Sequence, residues 1–108
     1  MRASSHRASF PAALVAACVL ATLPPTARAA DHRRGGSLFQ EHCATCHGAN
    51  GTPAMAGVPD LRRGGALVRP DRTLLLTIRN GRTTMPAYIG RLTERDMLDV
   101  IAFMRTLT

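Results

Sequence analysis

Residues 43–47, Cys43-Ala44-Thr45-Cys46-His47, decide how the rest of the chain is interpreted. Two thiols at this spacing can add to the two vinyl groups of one porphyrin, and the histidine that follows can place its imidazole on the central metal. This is the sequence pattern of c-type haem attachment. The pentapeptide therefore predicts one haem c, held covalently through Cys43 and Cys46, with His47 as an iron ligand.

Two other kinds of site also use a C-x-x-C pair. A thioredoxin-like redox pair requires a βαβ unit around it, and this short chain shows no such pattern. A zinc site requires two further ligands, whereas the sequence has one further cysteine, Cys18, and no second Cys/His pair. Haem attachment is therefore the preferred interpretation, with these two sites as alternatives.

Residues 1–29 have the three parts of a secretory signal. Residues 1–11 are basic, residues 12–23 are small and apolar, and Ala27-Arg28-Ala29 is an A-x-A cleavage sequence. The apolar run is shorter than the roughly 20 residues that cross a bilayer as a helix. We expect cleavage after Ala29, which leaves one domain over residues 30–108 in the periplasm.

Two alternatives would leave the protein attached to a membrane. The apolar segment could remain as an uncleaved anchor, or Val15-Ala16-Ala17-Cys18 could act as a lipoprotein site with a lipid on Cys18. The apolar run continues past Cys18 and the A-x-A sequence follows it, which favours ordinary cleavage. Membrane association is expected only if one of these alternatives holds.

The charge of the chain is positive. All 14 basic residues are arginine, against 7 acidic residues. With three arginines in the leader, eleven arginines and seven carboxylates leave residues 30–108 with a net charge of +4. A positive surface steers acidic partners from a distance. The scattered arginines and few aromatic residues exclude nucleic-acid binding from the expected functions.

The mature region is predicted to be all-α, with three helices joined by loops. The expected helices are 32–44, capped by Asp31; 72–80, capped by Asp71 and ended by Gly81; and one that begins after Thr93, with Asp96 in a reciprocal cap. Gly35 and Gly36 each cost the first helix about 1 kcal/mol relative to alanine, which suggests that another helix approaches closely. The glycines and prolines of residues 47–69 predict a long loop that wraps around something.

A haem iron has a second axial position. The side chains that could fill it are His32, His42, Met55, Met85, Met97 and Met104. The two methionines of the last helix lie at core spacing, Met55 follows the haem motif too closely, and His42 is expected to be exposed. Met85 lies between two helices, in a loop that Pro86 stiffens, with enough chain before it to go round the haem. Met85 is therefore the preferred distal ligand.

Taken together, these motifs resemble those of a class I monohaem cytochrome c. The matching segments are Gly35-x-x-Leu38-Phe39, Cys43-Ala44-Thr45-Cys46-His47-Gly48, Pro59-Asp60-Leu61, Thr84-Met85-Pro86-Ala87-Tyr88, and Leu92-Thr93 through Ala102-Phe103-Met104-Arg105. The resemblance implies a small all-α fold in which the N- and C-terminal helices cross and long loops wrap round one covalent haem.

The resemblance also implies roles for single residues. Thioethers would form at Cys43 and Cys46, and iron would be bound by His47 and Met85. The Pro59 carbonyl would accept the ring N–H of the histidine, which fixes the ring's orientation and basicity.

Further positions match the family's packing. Gly35 and Phe39 correspond to the place where the first helix crosses the last, against Phe103, whereas Gly36 has no explanation. The haem pocket would be lined by Leu61, Leu75 and Tyr88, although an ordinary core role explains Leu75 equally well.

An iron with His/Met ligation has no free coordination position, which favours electron transfer over substrate binding. The expected function is a periplasmic single-electron carrier, or the haem c subunit of a periplasmic dehydrogenase, with no catalytic residues of its own. Its partners would be redox proteins with acidic docking surfaces, such as a periplasmic dehydrogenase, an oxidase or another cytochrome. Candidates for the docking edge or for contacts with the haem propionates are Arg62, Arg63, Arg79, Arg82 and Arg91. The alternative is a haem protein with an open or labile distal site, such as a ligand sensor or peroxidase-like enzyme.

Overall fold

The computed structural model describes residues 27–107, so Cys18 and almost all of the predicted leader lie outside the described residues. The helices are α1 (His32–His42), α2 (Ala44–His47), α3 (Asp71–Asn80) and α4 (Glu94–Met104), with a 3₁₀ turn at Gly64–Ala66. The predicted all-α class is confirmed. No helix in the described range is long and apolar enough to cross a bilayer.

The three predicted helices correspond to α1, α3 and α4, and the haem motif adds the short helix α2. The first helix ends at His42 rather than at residue 44, since Cys43 leaves helical geometry with φ −122° and ψ −33°. Its backbone N–H still donates to the Phe39 carbonyl. The chain then starts the new turn α2 at Ala44.

Two of the three predicted caps are present. The Asp31 carboxylate accepts from the N–H groups of Arg33 and Arg34 at the start of α1. Thr93 and Asp96 form the reciprocal capping box of α4, with N···O distances of 3.1 and 2.9 Å.

The predicted Asp71 cap is wrong. Pro70 occupies the cap position of α3, and Asp71 is the first helical residue. A carboxylate in the first turn still interacts favourably with the helix dipole. Its side chain binds the Arg105 guanidinium at 2.6 Å instead of the helix backbone.

The crossing of α1 and α4 is confirmed, and it explains both glycines. A Cβ atom on Gly35 would lie 1.8 Å from the backbone oxygen of Asp99, so the two helix backbones touch there. A Cβ on Gly36 would lie 3.1 Å from the Phe103 ring, which supplies the explanation that the sequence did not. The Phe39 and Phe103 rings pack with their centroids 5.2 Å apart.

The core lies between these two helices, α3 and the loop that precedes α4. Its buried apolar side chains are Phe39, Leu61, Leu74, Ile78, Tyr88, Leu92, Met97, Val100, Ile101 and Met104. Burial of such side chains stabilises the fold by about 1.5–3 kcal/mol each. The core therefore joins the first and last helices to the segments that carry the candidate site.

A buried carboxylate ties the start of the domain to α4. Asp99 is only 1% exposed and accepts from the backbone N–H of Asp31 and from Arg34, both at 2.8 Å. Arg95 pairs with the same carboxylate at 3.3 Å. Paired and hydrogen-bonded in this way, the buried charge is compensated.

The capping box of α4 gives the fold a dependence on acid pH. The Thr93 hydroxyl and N–H, together with the Arg34 guanidinium, lower the pKa of Asp96 to about 2. An unfolded aspartate titrates at about 3.9. The stabilisation is therefore complete above that pH and is lost as the pH falls to about 2. We expect the melting temperature of Asp96→Asn to change less than that of wild type between about pH 4 and 2. An equal change of melting temperature with pH in the two proteins would contradict this assignment.

Residues 48–70 form the predicted long loop, interrupted by the 3₁₀ turn. Its first part is fixed by backbone bonds from Ala54 to the Cys46 carbonyl and from Leu61 to the Gly51 carbonyl, both 2.9 Å. Its last part is held by Arg105, which donates to the carbonyls of Leu67 and Arg69. The loop is thus tied at one end to the haem motif and at the other to α4.

Candidate functional site

The two motif cysteines lie on one helical turn as free thiols, and both are half-buried. Backbone N–H groups of Cys46 and His47 donate to the Cys43 carbonyl at 3.2 and 3.0 Å, which shapes the turn. Gly48 ends it with φ 75°, and a Cβ there would lie 1.9 Å from the Thr52 oxygen. Only glycine fits this exit from the turn.

Burial affects the reactivity of the first thiol. Removal from water, followed by the nearby Cys46, raises the pKa of Cys43 to about 11. The thiolate is the form that attacks disulfides and other electrophiles. At neutral pH Cys43 is therefore held as the thiol, which disfavours its attack on electrophiles.

The His47 ring is positioned as a neutral imidazole. Burial lowers its pKa, against a smaller raising effect of the Pro59 carbonyl. The Pro59 carbonyl lies near the histidine, but its bond to the ring stays a prediction, because the buried Nδ1 makes no hydrogen bond of standard geometry. Neutral imidazole is the form that binds metals. A buried nitrogen without a partner costs about 1–3 kcal/mol.

Met85 lies on a rigid turn that the sequence did not reveal. Arg82 and Met85 exchange backbone hydrogen bonds of 3.0 and 2.8 Å, and Thr83 between them has a φ of 51°. Gly81 precedes the turn with φ 72°, where a Cβ would lie 2.6 Å from the Met85 oxygen. The methionine is half-buried and packs against the core. Its backbone position is therefore restrained by the segment that precedes it.

Tyr88 brings the Met85 segment to the haem motif. Its side chain is buried, and its hydroxyl donates to the carbonyl of His42 at 2.6 Å. Burial raises the pKa of Tyr88. The expected exposure of His42 is wrong, because its side chain is 21% exposed and its ring stands edge-on to Tyr88 at 6.2 Å.

The other candidate ligands lie elsewhere. Met97 and Met104 are core residues, 3% and 8% exposed, whereas Met55 is 53% exposed. Leu61, predicted to line the haem pocket, is buried in the core cluster. Within residues 27–107, no three His, Cys, Asp or Glu side chains converge into a metal site.

The residues present fit a covalently held haem. Two free thiols share one turn, and the neighbouring imidazole is neutral. A half-buried methionine stands on a separate rigid turn that packs on the same core as Cys43. Thiol, imidazole and thioether groups are the donors through which proteins hold haem c and its iron.

Known proteins resemble this chain in sequence and in fold. Residues 30–104 match the family described as cytochrome c oxidase, cbb3-type, subunit III. Cytochrome c6 of Thermosynechococcus vestitus is 32% identical over 94 residues, which cover 83% of this chain and 82% of that protein. The cbb3-type cytochrome c oxidase subunit CcoP of Azospirillum brasilense is 33% identical over 100 residues, covering 86% of this chain and 34% of that protein.

A solved structure shares the fold. The KustC0563 c-type cytochrome superposes with a TM-score of 0.64 at 22% identity, covering 68% of this chain and 96% of that chain. At this identity the similarity concerns the architecture of the helices.

Proposed function

We propose, from the premise that this chain belongs to the c-type cytochrome family, that it is a periplasmic single-electron carrier with His/Met-ligated haem c. Membership of this family indicates a haem c electron-transfer protein, either a carrier or a subunit of an oxidase complex. The finer proposal is that Cys43 and Cys46 form the thioethers, and that His47 and Met85 bind iron. The observation that carries it is the rigid Met85 turn, which Tyr88 joins to the Cys–His turn.

The chain's residues would keep the site almost unchanged between two oxidation states. Haem c supplies a reversible one-electron couple, and methionine as an axial ligand raises its potential. Cys46 lies on α2 and Cys43 stands at its N-cap, and His47 presents a neutral ring. The paired backbone bonds of Arg82 and Met85 would restrain Met85 as the second iron ligand. Small rearrangement at the ligands suits transfer of an electron without bond making or breaking.

A redox titration combined with a ligand test distinguishes a carrier from a protein with an open distal site. We expect the purified holoprotein to titrate reversibly as a one-electron couple. We also expect the reduced form to bind carbon monoxide poorly. Ready carbon monoxide binding, or a high-spin spectrum in both oxidation states, would refute the carrier assignment and support a ligand sensor or a peroxidase-like enzyme.

Positive charge next to the Met85 turn supports an acidic partner. Residues 72–93 contain Arg72, Arg79, Arg82 and Arg91 and no acidic residue. Whereas Arg34, Arg95 and Arg105 pair with aspartates, the three arginines nearest Met85 in sequence make no ion pair within residues 27–107. Exposed Ile89 donates its N–H to the Arg79 carbonyl, which adds an apolar residue to this positive face. We define this face as Arg79, Arg82, Ile89 and Arg91.

This face is proposed as the docking surface for a redox protein with an acidic patch. Arg82→Glu is expected to slow reduction by ferrocyanide, an anion, about tenfold at low ionic strength, and to leave a cationic cobalt reductant equally fast or faster. Salt should remove most of the difference. Arg33→Glu, an equal change of charge at an exposed position on α1, is the control. Equal rates for the two variants would refute this choice of face.

A further inference from the structure

Tyr88 is fixed through both its main chain and its side chain. Its N–H donates to the Ile78 carbonyl at 3.1 Å, and its own carbonyl accepts from Arg91 and Leu92 at 2.9 and 3.0 Å. The backbone of residue 88 is therefore anchored to the end of α3 and to the start of the segment before α4. Because Met85 lies three residues earlier, this anchor restrains the chain on one side of the methionine.

The hydroxyl of the same residue reaches the opposite part of the site. It donates at 2.6 Å to the carbonyl of His42, the residue immediately before Cys43. That carbonyl belongs to the last turn of α1, where carbonyl groups have no partner within the helix. The bond therefore satisfies a helix end and joins two segments that are 46 residues apart in sequence.

The ring is held as well as the hydroxyl. Tyr88 is 6% exposed, and the Arg91 guanidinium carbon lies 5.2 Å from the ring centroid. A guanidinium over an aromatic face is attracted by the ring's negative potential. Arg91 thus covers the ring from the solvent side, and the phenol has little freedom to leave its partner.

We propose that Tyr88 is a positioning residue whose hydroxyl bond to His42 holds the Met85 turn against the haem motif and keeps Met85 on the iron. This inference rests on the proposed His47/Met85 ligation. A phenylalanine at position 88 would retain the packing of the ring and lose the bond. The Met85 turn would then move away from the motif more often, and the distal position would open more often.

The test compares Tyr88→Phe with wild type as holoproteins. The readouts are the methionine-to-iron charge-transfer band of the oxidised form and the rate of carbon monoxide binding to the reduced form. The loss of one hydrogen bond predicts carbon monoxide binding about fivefold faster than in wild type. The charge-transfer band of the variant should also disappear closer to neutral pH and at a lower temperature than that of wild type. Thr106→Val is the matched control, since it also removes a hydroxyl-to-carbonyl bond, of 2.7 Å to Phe103. It should leave both readouts unchanged.

Arg91→Met provides a second and independent variant. It removes the guanidinium above the ring, keeps the hydroxyl, and is expected to raise the carbon monoxide rate about twofold. If Tyr88→Phe fails to assemble with haem, the carbon monoxide rate of Arg91→Met tests the positioning role of Tyr88 instead. Wild-type rates in the assembled variants would overturn the positioning role. A wild-type protein without the charge-transfer band would instead overturn the proposed methionine ligation, so the two failures are distinguishable.

Discussion

Replacing Gly35 by alanine is expected to destabilise the domain by about 3 kcal/mol or more, because α1 and α4 touch at this residue. The added Cβ would lie 1.8 Å from the Asp99 oxygen and 2.9 Å from the Val100 nitrogen. Both are backbone atoms of α4, so relief requires the two helices to separate. Guanidine or thermal unfolding of the holoprotein measures the loss.

Gly36→Ala is the matched control, one residue along the same helix. Here the added Cβ would meet the side chain of Phe103 at 3.1 Å, and an aromatic ring can shift by a few tenths of an ångström. Alanine also gains about 1 kcal/mol of helix propensity over glycine. The Gly36 variant should therefore stay within about 1 kcal/mol of wild type. Equal stability of the two variants would show that the helices do not cross at Gly35.

Met85→Ala is expected to change the site more than any other single substitution that leaves the haem attached. The methionine-to-iron charge-transfer band of the oxidised protein should disappear, and the reduced form should bind carbon monoxide readily. The potential should fall by on the order of 0.1 V, a fraction of the roughly 0.8 V over which axial ligands tune haem.

Met55→Ala serves as the control for that experiment. Met55 is 53% exposed and lies in the loop after the haem motif, so its removal should leave the band and the potential at wild-type values. If the band survives in Met85→Ala and is lost in Met55→Ala, Met55 and not Met85 is the iron ligand. A band that survives in both would exclude each of them as the iron ligand.

The sequence predicts best what local chemistry determines. The caps at Asp31 and Thr93 need only a side chain and the next turn of backbone, and both are present. Asp71 shows the limit of such reasoning. Its position before an apolar helical pattern predicts a cap, but Arg105, at the end of α4, binds the carboxylate instead. The two residues are 34 positions apart, and the local sequence gives no sign of such a contact.

The candidate site also has features that the local sequence predicts and features that depend on tertiary contacts. The C-x-x-C-H spacing alone predicts where a haem would be attached, whereas the break at Cys43 between α1 and α2 is seen only in the backbone geometry. The bond from Tyr88 to His42 and the tight turn from Arg82 to Met85 depend on tertiary packing. Gly36 is explained only when Phe103 is placed above it.

The central claim is that Cys43 and Cys46 hold one haem covalently, and intact mass after denaturation tests it most directly. The protein should be taken from the periplasm of a bacterium that attaches haem to exported proteins, with the Cys43→Ala, Cys46→Ala double variant as control. The account predicts the mass of residues 30–108 plus one haem, and loss of the haem mass in the double variant. The bare polypeptide mass for the wild-type protein, with haem released on denaturation, would contradict it.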